Sequence, residues 1–522
     1  MKSVIFSTLI VLLFFSCKKE NFLSTQDNLL SFSTDTLLFD TVFTTVGSAT
    51  RYLKVYNNDN VDIVINSVSL NKKSNSSFKI NIDGEPNHTV ENILLRSNDS
   101  LYIFSEVTID PNNLNTPFIE TDSIVFIYNN QIQYVTLTAW GRDAYFHSGI
   151  PDYQQYSPQS NNLSSMLYCD FLNLTESECT ESQLNGESFS YYSINTNTIW
   201  ANDKPHVIYG DVIIENEAKL EIEKGSSIHL HNNSWLVASS GSSIEAIGGN
   251  NTEELIWIQS DRSDNPYGLT VTDYSNMPGQ WGKIWLMSGS INNQFEYTII
   301  KNGKIGIQVD GVNDIENLSE TPNLTIKNSI IYNMSQTGIL AQGSNVYGEN
   351  LQINNCGEHL LLLNIGGIYD FKHCTFANFW PFSRQTPSIV LNNYYEDING
   401  TIQNRNLLKA DFGNCIIDGN NETEILFLKS DEATFNYHID HCIVKSNQEY
   451  ITNWQENISG GSIILNSNEN NIFEDHENIP LQLDDESIAI DAGSSTIAND
   501  VPKDFYGNSR LPDPDIGCLE KQ

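Results

Sequence analysis

The sequence predicts an all-β chain in which a β-sandwich of immunoglobulin-like type precedes a parallel β-helix. Three observations carry this reading. From Val207 to Ile258 an apolar-x-apolar beat recurs every eight residues, at Val212/Ile214, Leu220/Ile222, Ile228/Leu230, Leu236/Ala238 and Ile244/Ala246. From Leu30 to Ala144 about seven β-rich runs alternate with turn sequences such as Asn57-Asn58-Asp59-Asn60, Asp83-Gly84 and Asn129-Asn130. Beyond Trp281 a looser repeat aligns on Thr298, Ser329, Leu351, Cys374, Cys415 and Cys442, at intervals of 31, 22, 23, 41 and 27 residues.

The short beats are strands with one buried face. Strands of this length bury a core only by stacking on copies of themselves. Three beats make 24 residues, which sets Leu236 above Val212 and Ile244 above Leu220 in successive triangular coils. Each coil rises by ~4.8 Å. Gln259–Gly279 reads as an insertion and Asn392–Asn406 as a loop within a long coil.

The N-terminus carries a separate message. Lys2 is followed by an apolar run from Val4 to Phe15, too short to span a bilayer. Residues 1–16 therefore read as an export signal. The sequence Phe14-Phe15-Ser16-Cys17 resembles the bacterial lipobox, with Phe14 where that family usually has Leu. The resemblance implies lipidation of Cys17 and a membrane anchor made of acyl chains. Lys18-Lys19-Glu20 resembles a surface-export tag of gram-negative lipoproteins, which implies an outer-membrane address with export to the cell surface. Residues 17–30 read as a tether.

The candidate strands of the sandwich, placed at 31–147, are Thr36–Phe43, Arg51–Tyr56, Asp62–Leu70, Phe78–Ile82, Ser100–Ile109, Ser123–Tyr128 and Tyr134–Ala139. Residues 148–200 are rich in Tyr, Ser and Asn and read as a connector. The β-helix is expected over 201–480. In its later coils Cys374, Cys415 and Cys442 share one inward position with Ser329, as small core fillers. The preceding column, Asn328, Asn350, His373, Asn414 and His441, reads as a stacked ladder at a turn rather than a metal site.

The last segment, expected at 481–522, has its own character. It contains Ser487-Ile488-Ala489-Ile490-Asp491-Ala492-Gly493, Asp504-Phe505-Tyr506-Gly507-Asn508-Ser509-Arg510 and Asp513-Pro514-Asp515-Ile516-Gly517-Cys518-Leu519-Glu520. These resemble the closing segment of the choice-of-anchor Q group of bacterial surface proteins, with Cys518 where a small residue is usual. Leu220-Glu221-Ile222-Glu223-Lys224-Gly225 and Trp281-Gly282-Lys283-Ile284 are similar to stretches of surface lipoproteins with a right-handed parallel β-helix. The resemblance covers about 200–520. It implies a right-handed coil and a C-terminal cap over the exposed end of the solenoid.

Composition narrows the partners. The chain carries 65 acidic and 27 basic residues, a formal net charge of −38. Nucleic acid is not an expected partner, because phosphate would be repelled. Of eight cysteines, Cys169 and Cys179 lie in a polar stretch and could pair in an oxidising compartment. No Cys-x-x-Cys exists, so zinc has no support. A monomer is expected.

Two constellations bear on function. Glu221 and Glu245 lie 24 residues apart, each between inward residues, and so should stack outward on adjacent coils. Such a pair could bind a sugar or act as a glycosidase pair; the plain alternative is two solvated acids. Trp235 precedes Leu236, while Trp257 and Trp285 each stand between inward residues, so their indoles should point outward as a sugar-stacking platform. The alternative is burial beneath the Gln259–Gly279 insertion. Asp261, Asp264 and Asp273 could hold Ca²⁺, although their spacing matches no known loop. The motif sets of pectinase-type glycosidases and pectate lyases are missing; Asp484-Asp485 stands alone.

The leading expectation is non-catalytic recognition of a glycan or cell-surface component. A divergent polysaccharide lyase or hydrolase and a structural envelope protein are the alternatives. An outward groove of acids with a Lys or Arg would favour the enzyme. A flat face of exposed indoles would favour binding, and a uniform Asn/Ser/Thr face a structural role.

Overall fold

The computed structural model describes residues 29–43, 47–48, 50–109, 118–150, 162–171, 189–262, 273–311, 321–397, 399–459, 461–465 and 472–522. The chain divides into two compact units, Met1–Asp143 and Ala144–Gln522.

The first unit is a sandwich of two five-stranded sheets. One orders Ser31–Phe32, Arg51–Asn57, Asp99–Val107, Phe78–Ile82 and Glu85–Pro86; the other orders Thr36–Phe43, Gln131–Arg142, Phe118–Tyr128, Ile63–Leu70 and Thr89–Leu95. Alternation along the strands sends Leu53, Val55, Ile65, Val68, Phe126 and Leu137 into one core. All seven expected strands are present. Thr89–Leu95 was not expected, because Glu91 and Asn92 interrupt its apolar pattern; it is an edge strand with little burial.

The second unit is a parallel β-helix. Val212 pairs with Leu236 and Leu220 with Ile244, so the 24-residue coil holds. Each coil passes through three faces. Face 1 is a ten-stranded sheet containing Asp211–Ile214, Trp235–Ala238, Lys283–Leu286 and Ile305–Asp310. Face 2 contains Lys219–Ile222, Ser243–Ile247 and Asn293–Glu296, and face 3 Ser227–Leu230, Ile256–Ser260 and Thr298–Lys301. Long strands such as Leu324–Met334 and Asn345–Cys356 bend from face 2 into face 3. Inward side chains from all three faces form one continuous core.

The bend explains the Asn/His ladder. Asn328, Asn350, His373, Asn414 and His441 sit at the corner with φ of 45°, 49°, 49°, 53° and 49°. Non-glycine residues rarely adopt this left-handed region, and Asn does so most readily. Their side chains also bond between coils, Asn350 to Asn328 at 2.8 Å and Asn414 to His373 Nε2 at 2.9 Å. Cys374, Cys415 and Cys442 follow the corner, fully buried with free thiols, at the expected inward column.

Two boundaries differ from expectation. The helix begins at Tyr145, not at 201: Tyr145–Ser148 pairs with His206–Tyr209, Phe189–Ile194 with Asp211–Ile214, and Thr198–Trp200 with Lys219–Ile222. Part of the expected connector is therefore the first coil. Its irregular spacing hid the repeat.

The second difference concerns the C-terminal segment. It does not sit over the end of the solenoid but runs back along face 3. Phe505, Cys518 and Leu519 pack on Ile299 and Ile330, and Phe473, Leu481 and Ile516 on Ile416 and Ile443. Buried Arg510 donates to Asn350 Oδ1 at 2.7 Å, and Asn414 Nδ2 donates to the Ser494 carbonyl at 3.0 Å. The far end is closed instead by aromatics: Phe427, Phe435, Tyr437 and Trp454 form one cluster, and Tyr450 Oη accepts from the Phe427 amide on the last described strand of face 1.

Candidate functional site

The three faces present different outer surfaces. On face 1 the outer file is mostly apolar, and Ile213, Val237 and Trp285 are buried with Tyr191. On face 3 the outer file runs through Trp257, Ile299 and Ile330 and later Ile416 and Ile443, beneath the C-terminal segment. Beside its apolar file, face 1 has a short polar one, Asp310, Gln342 and Asn364. Face 2 carries a longer polar outer file that meets solvent.

That file begins at the two expected carboxylates. Glu221 and Glu245 are direct partners on adjacent strands. Lys219, two residues before Glu221 and so on the same outer side, bridges them: its Nζ lies 3.0 Å from Glu245 Oε1 and 3.2 Å from Glu221 Oε2. Hydrogen bonds that Lys219 donates to Glu245 and then Glu221 raise its pKa. Lys219 is thus held as an ammonium between the two carboxylates. The cluster opens on a concavity of about 370 Å³ lined by Asn202, Glu221, Ile222, Glu223, Lys224, Glu245 and Ile247. Ile247 is 41% exposed, and Ile199, the partner of Glu221 on the preceding coil, is 60% exposed. Acceptor oxygens, an ammonium and bare methyl groups therefore share one open shelf. The three glutamates and two lysines leave it with little net charge.

The indoles do not make the expected platform. Trp257 lies on face 3 and Trp285 on face 1, so their rings cannot share a surface. The insertion between them carries the chain around to the next face, which spacing alone did not reveal. Trp257 is half-buried against the cluster that contains Phe505 and Leu519. Trp285 instead meets Trp235, ring centroids 5.6 Å apart and nearly perpendicular. Lys283 Nζ sits 4.0 Å from the Trp285 ring and 4.5 Å from that of Trp235. Trp285 Nε1 donates to Asp310 Oδ2 at 2.6 Å. The cation between these rings is already the protein's own.

A second polar cluster on face 2 escaped the sequence reading. Asp370 pairs directly with Asp411, and Lys409 Nζ lies 2.8 Å from Asp370 and 3.4 Å from Asp411. It repeats the Glu221–Lys219–Glu245 arrangement later in the same outer file. The 41-residue interval between these coils hid the register, because the hairpin Tyr394–Glu396/Ile402–Asn404 loops out within it.

The remaining candidates are placed as follows. Asp261 Oδ2 accepts from Tyr209 Oη and meets His231 Nδ1 at 2.7 Å, and Asp273 accepts from Ser275 and Asn276. Asp264 lies outside the described residues. Cys169 is disulfide-bonded; Cys179 and Cys17 lie outside the described residues.

No protein-family model matches the chain, and no curated protein matches it. Solved structures give distant likenesses. The complex of XylC with xylose is 8% identical, covering 93% of this chain and 88% of that one, with a TM-score of 0.28. The catalytic unit of a thermostable GH87 alpha-1,3-glucanase from Streptomyces thermodiastaticus strain HF3-3 is 9% identical, covering 75% and 79%, with a TM-score of 0.24. A PapD-like domain of human CEP192 is 9% identical and covers 24% of this chain and 91% of that domain, with a TM-score of 0.16. Of several other proteins matched over a small share of the chain, it spans between 31% and 56%. The fold rests on the strand pairing above, and no activity follows from these likenesses.

Proposed function

We propose that this protein is a lipid-anchored cell-envelope protein, held to the outer membrane through Cys17, that recognises a neutral glycan on face 2. One observation carries the reading: on the open face, Glu221 and Glu245 stack about a single ammonium beside the exposed methyl groups of Ile199 and Ile247. Carboxylate oxygens accept hydrogen bonds from sugar hydroxyls, and aliphatic side chains cover the C–H surface of a pyranose ring. The net charge of −38 disfavours polyanionic glycans. The lipobox-like Phe14-Phe15-Ser16-Cys17 and the closing segment resembling the choice-of-anchor Q group support the envelope address.

Glycoside hydrolysis is the second reading, and the stacked carboxylates with a lysine favour it. A glycan array on the purified mature chain, with assay of new reducing ends, separates the two. Recognition predicts retained neutral glycan without new ends, and about tenfold weaker retention by E221Q/E245Q. New reducing ends that vanish in that variant would establish the hydrolase instead. An array with no retained glycan ends both.

A further inference from the structure

The polar file on face 2 does not stop at Glu245. Strand pairing carries it through Gln294, Thr325 and Tyr347 to Asp370 and then Asp411. Each of these residues is at least partly open to solvent. The two carboxylate–lysine–carboxylate clusters therefore stand on one straight line parallel to the helix axis. Glu221 and Asp370 are five pairings apart, or ~24 Å. The rise of one rung is close to the advance of one sugar in an extended, β-1,4-type chain. Rungs and sugars therefore keep near register over the few rungs between the clusters, which a helically coiled chain would not do. Between the clusters this file is neutral, an amide, a hydroxyl and a phenol, while the neighbouring outer file of the same face carries Glu296, Lys327 and Glu349, with Lys327 Nζ 3.0 Å from Glu349.

We infer that face 2 takes a neutral, extended polysaccharide lying parallel to the helix axis, with the Glu221/Glu245 cluster and the Asp370/Asp411 cluster gripping it about five sugars apart. This rests on the glycan reading above and names the ligand's shape. A short oligosaccharide reaches only one cluster. A chain of six or more units engages both, and the second contact is gained at a high effective concentration.

The test is titration calorimetry of the full mature chain with cello-, xylo- and manno-oligosaccharides of two to seven units. Affinity is expected to rise about tenfold or more between the trimer and the hexamer. D370N/D411N and E221Q/E245Q should each erase that rise, leaving the hexamer bound no more tightly than the trimer. Circular dichroism melting of each variant checks that the coil is intact. If affinity levels off at the trimer and D370N/D411N changes nothing, the axial arrangement is wrong although glycan recognition stands. If no oligosaccharide of any length binds, both fall.

Discussion

His147 and His206, on adjacent strands of face 3, lie edge to edge with ring planes within 6° and centroids 5.2 Å apart, and share a hydrogen bond of 2.9 Å between Nε2 and Nδ1. His206 Nε2 bonds the Ala201 carbonyl at 2.8 Å, so its proton sits there and its Nδ1 accepts from His147. Both rings are buried, stacked on Trp200.

A pH dependence follows. Burial lowers both pKa values, that of His206 to about 4, with the Ala201 carbonyl and Asp203 only partly offsetting it, and that of His147 well below its usual value. The unfolded chain then binds more protons than the folded one between about pH 6.5 and 4. Stability should fall as pH drops through that window, by up to about 3 kcal/mol from His206 alone. Asp211, whose carboxyl burial lifts to about 6, acts in the opposite sense. The comparison is therefore between the wild type and H206Q, by urea midpoints at several pH values. Parallel curves for the two proteins would refute the assignment.

Trp285 should matter for stability and not for ligand. W285A removes a buried ring and leaves Lys283 and Asp310 without their indole partner. A loss of about 3–5 kcal/mol is expected in denaturant unfolding. The affinity for any glycan bound on face 2 should stay within about twofold, since face 1 lies elsewhere on the coil. A variant that melts normally but loses glycan would return the indoles to the binding site.

Asn414 joins the coil to the C-terminal segment. Its side chain bonds His373, accepts from the Ser494 amide at 2.8 Å and donates to the Ser494 carbonyl, while its backbone holds φ of 53°. N414A loses these buried bonds and strains the corner, at a cost of about 2–3 kcal/mol. N414G relieves the strain alone and should recover about 1 kcal/mol. Limited proteolysis should release the segment after Leu483 faster in both variants. Equal protease resistance in all three proteins would show that the apolar contacts suffice to hold it.

How much could be read beforehand differs residue by residue. The stacking of Glu221 on Glu245 followed from an unbroken 24-residue period, because a fixed coil length fixes register. Asp370 and Asp411 follow the same rule but could not be aligned, since a looped-out hairpin changes the count without changing the coil. Trp257 and Trp285 failed for a related reason: the insertion between them shifts the second onto another face. The Asn/His column was visible as a column, although its cause, a left-handed corner, is a backbone property.

By itself, then, the sequence determined the local matters: which residues point inward, that short strands must stack, and the thiol and amide columns that run along the stack. These depend on periodicity, and periodicity is written in the chain. The tertiary structure alone decided which outer face the C-terminal segment covers. That depends on where a strandless C-terminal segment finds uncovered apolar surface, and it found Ile299, Ile416 and Ile443 on face 3. Apolar burial has no direction and no sequence register, so only the folded coil shows which surface the segment covers and which it leaves to water.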